Sequence, residues 1–426
     1  MKTMSKLAIA LVGVAGLALA AESAQAQTVI ANGTGSSAGR LFASQTPSFV
    51  CDASPTPLYF KDTGNPPNMT EWQCKRGGVN HIYRYSATGS ADGFLKQPNG
   101  AVATATYLVT SGCPAGTSTT IAGHTVLQSV CPAGTPTTTL PVHFGASDTK
   151  ATSFHQTGNG VSIVPPASGH LTTTPVVAVP FTLVVGPNVR GKDSAGNLTT
   201  LLSITEEQAR QILAGLVTDW TILGLDTTTA NKTITTCQRT PGSGTLATLD
   251  EVIMRPNFWV GGINPATTAS SPNNIWNPSS SNVKSCVENN PNAIGYIDSD
   301  TVPNLLNGAY QIGISGQVVN AGALGTGAAR MKDLRCGRYI YWADWNIVTR
   351  NAGVEVAPVN AVAGTNAAIQ AFVDQATLNN PLPDYWVAQN DMFVFKNDDR
   401  GPFNWFTPSG NGEDAATVCK KAGSTL

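Results

Sequence analysis

The stretch of sequence that decides the fold reads, in chain order, Thr235-Thr236-Cys237-Gln238-Arg239-Thr240-Pro241-Gly242-Ser243-Gly244-Thr245-Leu246-Ala247-Thr248-Leu249-Asp250-Glu251-Val252-Ile253-Met254. Its first residues are rich in β-branched side chains, which favours a strand. After the Pro-Gly break, apolar residues recur at the spacing of one helical face: Leu246, Leu249, Val252 and Ile253. The stretch therefore predicts a strand, a turn and a helix, with small hydroxyl residues where the helix begins.

The predicted helix start has the properties of a seat for a tetrahedral oxyanion. The first backbone N–H groups of a helix have no partner inside it, and the helix dipole makes this end positive. Ser243 and Thr245 add hydroxyl donors, and Gly244 allows the backbone to approach a ligand closely. Arg239 adds a planar fork of donors. The alternative is that Ser243 is an ordinary N-cap and Arg239 a surface charge.

The first residues have the pattern of a secretory signal. Lys2 and Lys6 form a basic start, residues 7–20 are almost wholly apolar, and Ala24-Gln25-Ala26 matches the small-x-small cleavage pattern. We therefore expect residues 1–26 to be a cleaved signal peptide and the protein to be periplasmic or secreted. Because no cysteine follows the cleavage site and no second long apolar run occurs, we expect neither a lipid anchor nor direct membrane insertion.

Composition excludes some classes of partner. The net charge is −1 and 12% of the residues are charged, which gives no electrostatic reason to expect binding to nucleic acid or to a membrane surface. The five histidines are scattered and no CxxC occurs, so no metal site is expected.

Eight cysteines in an exported chain favour disulfides, and the simplest of the many possible connectivities pairs sequence neighbours: 51–74, 113–131, 237–286 and 336–419.

Three earlier segments repeat the arrangement of a strand followed by a loop of small residues. The first begins at Thr28 and leads to Ser37, the second covers residues 81–86 and leads to Ser90, and the third ends at Asp148. Most such loops are only turns, and an Asp in this place commonly caps a turn or a helix.

Other segments bear on the domain organisation. Cys-Pro-Ala-Gly-Thr occurs at residue 113 and again at residue 131, which predicts an inserted, hairpin-like flap over residues 97–141 closed by its own disulfide. Residues 205–208 form a capping box that begins a helix. The apolar run 176–185 suits a buried strand, and Pro180 inside it indicates two strands with a domain boundary between them. Residues 256–285 are rich in Asn, Pro and Ser and are interpreted as a loop.

Five segments, in this order along the chain, resemble the periplasmic phosphate-binding proteins of ABC importers, which are type II periplasmic binding proteins. They are Gly89–Gly93, Phe144–Asp148, Leu202–Trp220, Arg239–Thr245 and Ala293–Tyr296. The resemblance covers roughly residues 28–300, and the last third of the chain matches poorly.

The resemblance implies an α/β, two-lobed periplasmic-binding-protein (Venus-flytrap) fold with a cleft between the lobes, disulfide-bonded and carrying an inserted β-rich flap. We accordingly expect lobe I to begin with residues 27–180, with the flap at 97–141, and lobe II to comprise residues 181–304. Residues 305–426 are expected to return to lobe I and to end in a divergent C-terminal extension.

The resemblance also implies a set of oxyanion-binding residues, which are Ser37, Ser90, Asp148, Arg239, Ser243, Gly244 and Thr245. A carboxylate only accepts hydrogen bonds, so Asp148 favours an oxyanion that still carries a proton, such as hydrogen phosphate, over sulfate. Pro241 stands where the family often carries an acidic residue, which removes one ion partner of Arg239.

The sequence thus predicts an exported solute-binding protein that captures phosphate or a similar tetrahedral oxyanion, for ABC import or phosphate sensing. Its expected partners are inorganic phosphate and the membrane subunits of an ABC importer, and we expect a monomer without a cofactor or enzymatic activity. One alternative is an exported surface or matrix protein that reuses the fold, which the extra disulfides and the inserted repeat favour. The other is a phosphoester hydrolase, because His143, Ser147 and Asp148 are close in sequence.

Overall fold

The computed structural model describes residues 28–38, 40–64, 67–155, 170–255, 259, 262–265, 268–319, 331–351, 364–377, 386–396, 399, 403–405 and 418–419. The expected signal peptide, residues 1–26, lies outside these ranges.

The strands are, in chain order, β1 (Val29–Gly35), β2 (Leu58–Lys61), β3 (Met69–Arg76), β4 (Val79–Ala87), β5 (Thr104–Leu108), β6 (Thr117–Ile121), β7 (His124–Val130), β8 (Thr137–Pro141), β9 (Phe144–Ser147), β10 (Leu171–Val185), β11 (Val189–Lys192), β12 (Leu198–Thr199), β13 (Ser203–Ile204), β14 (Asp226–Thr227), β15 (Thr235–Arg239), β16 (Asn274–Asn277), β17 (Ala293–Asp298), β18 (Tyr310–Ile314), β19 (Trp342–Arg350), β20 (Val387–Ala388), β21 (Val394–Lys396) and β22 (Phe403–Trp405).

The α-helices are α1 (Arg40–Gln45), α2 (Pro47–Val50), α3 (Ser90–Leu95), α4 (Glu206–Leu213), α5 (Gly244–Leu249), α6 (Ser280–Asn289), α7 (Lys332–Arg335) and α8 (Thr365–Thr377). A single π-helical turn, Asp250–Met254, continues α5. In the part of the chain that the structure describes, no helix is long and apolar enough to cross a bilayer.

One long strand, β10, belongs to two sheets. Its first part pairs with β19 as far as Pro180, and from Phe181 onward it pairs with β17 and β18. The lobe I sheet continues from β19 through β9, β1, β4, β3 and β2, and the lobe II sheet continues from β17 through β15 to β16. The predicted two-lobed α/β fold is therefore confirmed.

The prediction that Pro180 separates two strands is wrong. The strand runs without a break from Leu171 to Val185. Proline lacks a backbone N–H and is excluded where a ladder needs that donor. Pro180 is the last residue paired with β19, and the next N–H, that of Phe181, donates to the carbonyl of Tyr341. The missing donor thus falls at the junction where the strand changes partners.

The predicted site loops follow strands that belong to a parallel group of three in each lobe. In lobe I, β1 is parallel to both β4 and β9, and in lobe II, β15 is parallel to both β16 and β17. The carboxyl ends of parallel neighbours meet at one edge of a sheet, where α/β proteins bind ligands. The loops after β1, β4 and β9 therefore lie side by side, as do those after β15 and β16.

Residues 97–141 form two antiparallel pairs, β5 with β8 and β6 with β7. Strand β7 also runs parallel to β2, so this predicted flap extends the edge of the lobe I sheet. All four disulfides predicted from sequence neighbours are confirmed: Cys51–Cys74, Cys113–Cys131, Cys237–Cys286 and Cys336–Cys419.

Two local predictions have different outcomes. The capping box at Thr205 and Gln208 is confirmed, with both reciprocal hydrogen bonds present. The interpretation of residues 256–285 as a loop is wrong, because β16 and the start of α6 lie within it. Asn and Pro residues, which are typical of loops, flank both elements, so neither was predicted. The N-cap Ser279, which accepts a hydrogen bond from the Asn282 N–H, was a signal for the start of α6.

Candidate functional site

Lobe I brings three of the predicted residues to one edge of its sheet. Ser37 follows β1, Ser90 is the first residue of α3 after β4, and Asp148 follows β9. All three are buried, and the Ser90 hydroxyl donates to Asp148 Oδ1. The parallel pairing of β1 with both neighbouring strands places these loops next to one another.

Lobe II contributes the other four predicted residues from one strand–turn–helix unit. Arg239 is the last residue of β15, and Gly244 and Thr245 open α5. Ser243 is the N-cap, and its hydroxyl accepts a hydrogen bond from the Leu246 N–H at 3.3 Å. The capping role considered for Ser243 is therefore correct, whereas Arg239 is only 1% exposed and is not a surface charge.

The two lobes meet at these loops. A β-carbon built on Gly244 would overlap Asp148 Oδ1 and would lie 2.5 Å from Ser90 Oγ. The Ala91 N–H donates to the carbonyl of Gly242 at 3.1 Å across the same contact. The glycine at the helix start is thus required for the close approach of the opposite lobe, and the structure brings all seven predicted residues into one neighbourhood.

The Arg239 guanidinium is held by neutral oxygens from both lobes. Its Nη1 donates to Thr245 Oγ1 at 3.2 Å and to Ser280 Oγ at 2.9 Å. Its Nη2 donates to Ser37 Oγ at 3.3 Å and to the Pro278 carbonyl at 3.2 Å. Among the described residues, no carboxylate oxygen lies within 4.0 Å of this guanidinium, and its Nε has no partner. A cation held in this way is buried without a direct ion pair and keeps a free donor.

Burial dominates the electrostatics of the site. Burial and, to a smaller extent, the Asp298 charge raise the pKa of Asp148 to about 7, and Arg239 opposes both. Burial also lowers the pKa of Arg239, against the opposing effects of Asp298 and Asp148. Since Asp148 titrates close to neutrality, its carboxyl group can accept or donate a hydrogen bond near pH 7.

Sequence reasoning missed four residues of this neighbourhood. Ser280, at the start of α6, bonds to Arg239, and Asp298, at the end of β17, accepts a hydrogen bond from the Ser280 hydroxyl. Arg40 donates from Nη2 to Ser281 Oγ at 2.8 Å, and Tyr341 donates to the Thr245 carbonyl at 3.0 Å. Asp298 had a visible signal, because it lies two residues after the Ala293–Tyr296 motif. Ser280 lies in the segment that was interpreted as a loop, and Tyr341 lies in the poorly matching last third of the chain.

Among the described residues, Ser147 does not form the hydrogen bond to His143 that a hydrolytic Ser-His pair would require. Its hydroxyl donates to the Thr149 carbonyl at 2.7 Å, and His143 Nδ1 accepts a hydrogen bond from the Asn32 N–H at 2.9 Å. The two side chains are thus each bonded to the backbone of other residues. Within the ranges that the structure covers, no group of three or more His, Cys, Asp or Glu residues has the arrangement of a metal site.

The chain has similarity to several solved structures. PstS from Borrelia burgdorferi is 13% identical, with 84% of this chain and 98% of that chain covered and a TM-score of 0.38. An ABC-type phosphate transport receptor from Vibrio cholerae is 14% identical over 55% and 74% of the two chains, with a TM-score of 0.34. A possible phosphate-binding protein from Planctomyces limnophilus is 11% identical over 82% and 99%, with a TM-score of 0.32.

No curated protein sequence matches the chain. A family model described as a PBP superfamily domain, however, matches residues 79–377 of the 426, which is well over half of the chain. The protein therefore belongs to the PBP superfamily.

Proposed function

We propose that this protein is an exported solute-binding protein that captures phosphate, or a similar tetrahedral oxyanion, between its two lobes. The observation that carries the proposal is the Arg239 guanidinium, which is buried where the two lobes meet and is surrounded by hydroxyls. Burying a cation away from water costs several kcal/mol unless a partner offsets the cost. A tetrahedral anion accepts hydrogen bonds in several directions, which matches donors arriving from both lobes.

The Asp148 carboxylate favours a ligand that carries a proton. When ionised, its carboxylate accepts a hydrogen bond from hydrogen phosphate, whereas sulfate has no proton to donate. Sulfate at this position would face the carboxylate with unrelieved charge repulsion in a buried site. The proposed ligand is therefore a protonated oxyanion of the phosphate type.

The connection between the lobes supports a mechanism of hinge closure. Strand β10 passes between the two sheets, and it changes its partners at a single residue pair, Pro180 and Phe181. Rotation of the lobes about such a crossing closes the cleft around a ligand and excludes water. Membrane subunits of an ABC importer, or a phosphate-sensing partner, would recognise the closed form. The signal-like residues 1–26 and the four disulfides favour an exported location.

Calorimetric titration with phosphate and with sulfate tests this function. We expect phosphate to bind the parent protein and Arg239→Met to weaken binding by about 100-fold or more, because the buried positive charge that faces the anion is lost. The matched control is Arg255→Met, which removes the same charge from an exposed side chain of lobe II and should leave the affinity unchanged. Absence of phosphate binding in the parent, or parent-like affinity in Arg239→Met, would refute the proposal.

A further inference from the structure

Behind Arg239 lies a second layer of polar residues, which comes from two elements of lobe II. Ser280 is the first residue of α6 and Asp298 is the last residue of β17, and both are fully buried. The Cys237–Cys286 disulfide ties α6 to β15, the strand that ends at Arg239. The three side chains are therefore held on connected, rigid elements rather than on free loops.

The three side chains form a continuous chain of hydrogen bonds. Arg239 Nη1 donates to Ser280 Oγ at 2.9 Å, and the Ser280 hydroxyl donates to Asp298 Oδ1. A serine hydroxyl has one proton and two lone pairs. Because the Ser280 hydroxyl donates its one proton in the hydrogen bond to Asp298, its lone pairs remain to accept the hydrogen bond from the guanidinium. The carboxylate thereby determines the direction in which Ser280 can hold Arg239.

We infer that Asp298 positions Arg239 for anion binding by acting through Ser280. The inference rests on the proposed function for its ligand but concerns residues outside the predicted site. Asp298 is a positioning residue in this account, because its charge reaches the guanidinium through a neutral hydroxyl. The relay supplies the negative partner that Pro241 does not provide two residues after Arg239.

An indirect partner has a chemical advantage over a direct ion pair. A carboxylate bonded to the guanidinium would occupy N–H groups that the anion needs and would repel the anion at short range. With Ser280 between them, the carboxylate occupies only one N–H of Arg239, which is the Nη1 donor bonded to Ser280. The Nε–H has no partner among the described residues and remains available to bind the anion. Thr301 Oγ1 lies 3.4 Å from Asp298 Oδ2, so the far side of the carboxylate is also held.

The opposing explanation is that Asp298 is only a buried negative charge near the site. The two explanations predict opposite effects of Asp298→Asn on phosphate affinity. Removing a repulsive charge would tighten binding, whereas loosening a relay would weaken it. Ser280→Ala removes the middle of the relay while changing little volume and no charge.

The decisive experiment measures phosphate affinity by calorimetry for the parent, Ser280→Ala, Asp298→Asn and the double variant. We expect Ser280→Ala to weaken binding about tenfold and Asp298→Asn to weaken it several-fold. The double variant should bind no more weakly than Ser280→Ala, because both substitutions break the same relay. Thr248→Val is the control, since it removes another buried hydroxyl of lobe II that has no hydrogen-bond partner in the described structure.

A ligand-independent measurement separates this inference from the proposed function. Arginine side-chain NMR reports the rotation of the guanidinium, which should be hindered at Arg239 in the parent and at least several-fold faster in Ser280→Ala and Asp298→Asn. If the parent fails to bind phosphate, the proposed function falls and the NMR result still decides the relay. Tighter binding in Asp298→Asn, additive effects in the double variant, or unchanged rotation in both single variants would overturn the inference.

Discussion

Gly244 of lobe II lies directly against the Asp148 carboxylate of lobe I, with no room for a β-carbon between them. This contact joins the start of α5 to the loop after β9, and it brings the predicted cation and the predicted selectivity residue to one place. Any side chain at position 244 must therefore hold the lobes apart.

We expect Gly244→Ala to weaken phosphate binding by about 100-fold, because the added methyl group would meet Asp148 and Ser90 before the lobes close. Calorimetry measures the affinity, and small-angle scattering measures whether phosphate still makes the protein more compact. Gly112→Ala is the matched control, since a β-carbon there meets no other atom within 4 Å. Parent-like affinity in Gly244→Ala would contradict the close approach.

Asp148→Asn should narrow the preference for phosphate over sulfate. The amide has a donor as well as an acceptor, so an oxyanion without a proton no longer meets an acceptor-only group. We expect the ratio of the two affinities at pH 7 to fall at least tenfold, mainly through a gain in sulfate binding. Competition titrations on one protein preparation measure this ratio directly. Equal affinities for the two anions in the parent would remove the proposed role of Asp148.

The raised pKa of Asp148 predicts a pH dependence of stability in the ligand-free protein. The folded state retains this proton from the ordinary value of 3.8 up to about 7, while the unfolded chain has lost it. Unfolding therefore releases a proton in this window, and the stability that this group contributes falls as the pH rises. The midpoint of thermal unfolding should decrease less between pH 4 and 7 in Asp148→Asn than in the parent. Parallel curves would show that burial does not perturb Asp148.

A residue of the C-terminal third is expected to hold the Asp148 loop in place. Asp399 Oδ2 accepts hydrogen bonds from Thr149 Oγ1 at 2.5 Å, from the Lys150 N–H at 2.9 Å and from the Ser153 hydroxyl. Asp399→Ala would leave these buried donors without their acceptor. We expect the free energy of unfolding to fall by about 1–3 kcal/mol, with weaker phosphate binding.

Denaturant unfolding and calorimetry test this prediction, with Asp374→Ala on the exposed face of α8 as the control. That surface substitution should change stability by less than about 0.5 kcal/mol. A loss in Asp399→Ala no larger than in Asp374→Ala would show that the C-terminal third does not support the site.

The parts of the fold that were predictable from sequence carry strong local signals. A capping box begins α4, and the turn of Pro241 and Gly242 followed by Ser243 marks the start of α5. Pairing cysteines that are neighbours in sequence was sufficient because no other cysteine lies between the two partners of any disulfide, although the partners are 18 to 83 residues apart.

The parts that were not predictable depend on tertiary placement. Strand β16 has four residues with asparagine at both ends, and α6 buries few apolar side chains, so neither has a clear hydrophobic period. Ser280 and Asp298 are separated by 18 residues and become neighbours only because β16 and β17 both flank β15. Pro180 was misread because the change of sheet partner at that residue is not visible in the sequence.

One oxyanion should lie between the lobes, in contact with Arg239 and the start of α5. Anomalous diffraction from crystals of the arsenate-loaded protein locates this anion, because arsenate has the shape and the proton of phosphate and its arsenic scatters anomalously. We expect one strong arsenic peak within hydrogen-bond reach of the Arg239 guanidinium, the Gly244 N–H and the Asp148 carboxyl group. An arsenic peak elsewhere, or none at saturating arsenate, would refute the proposed site.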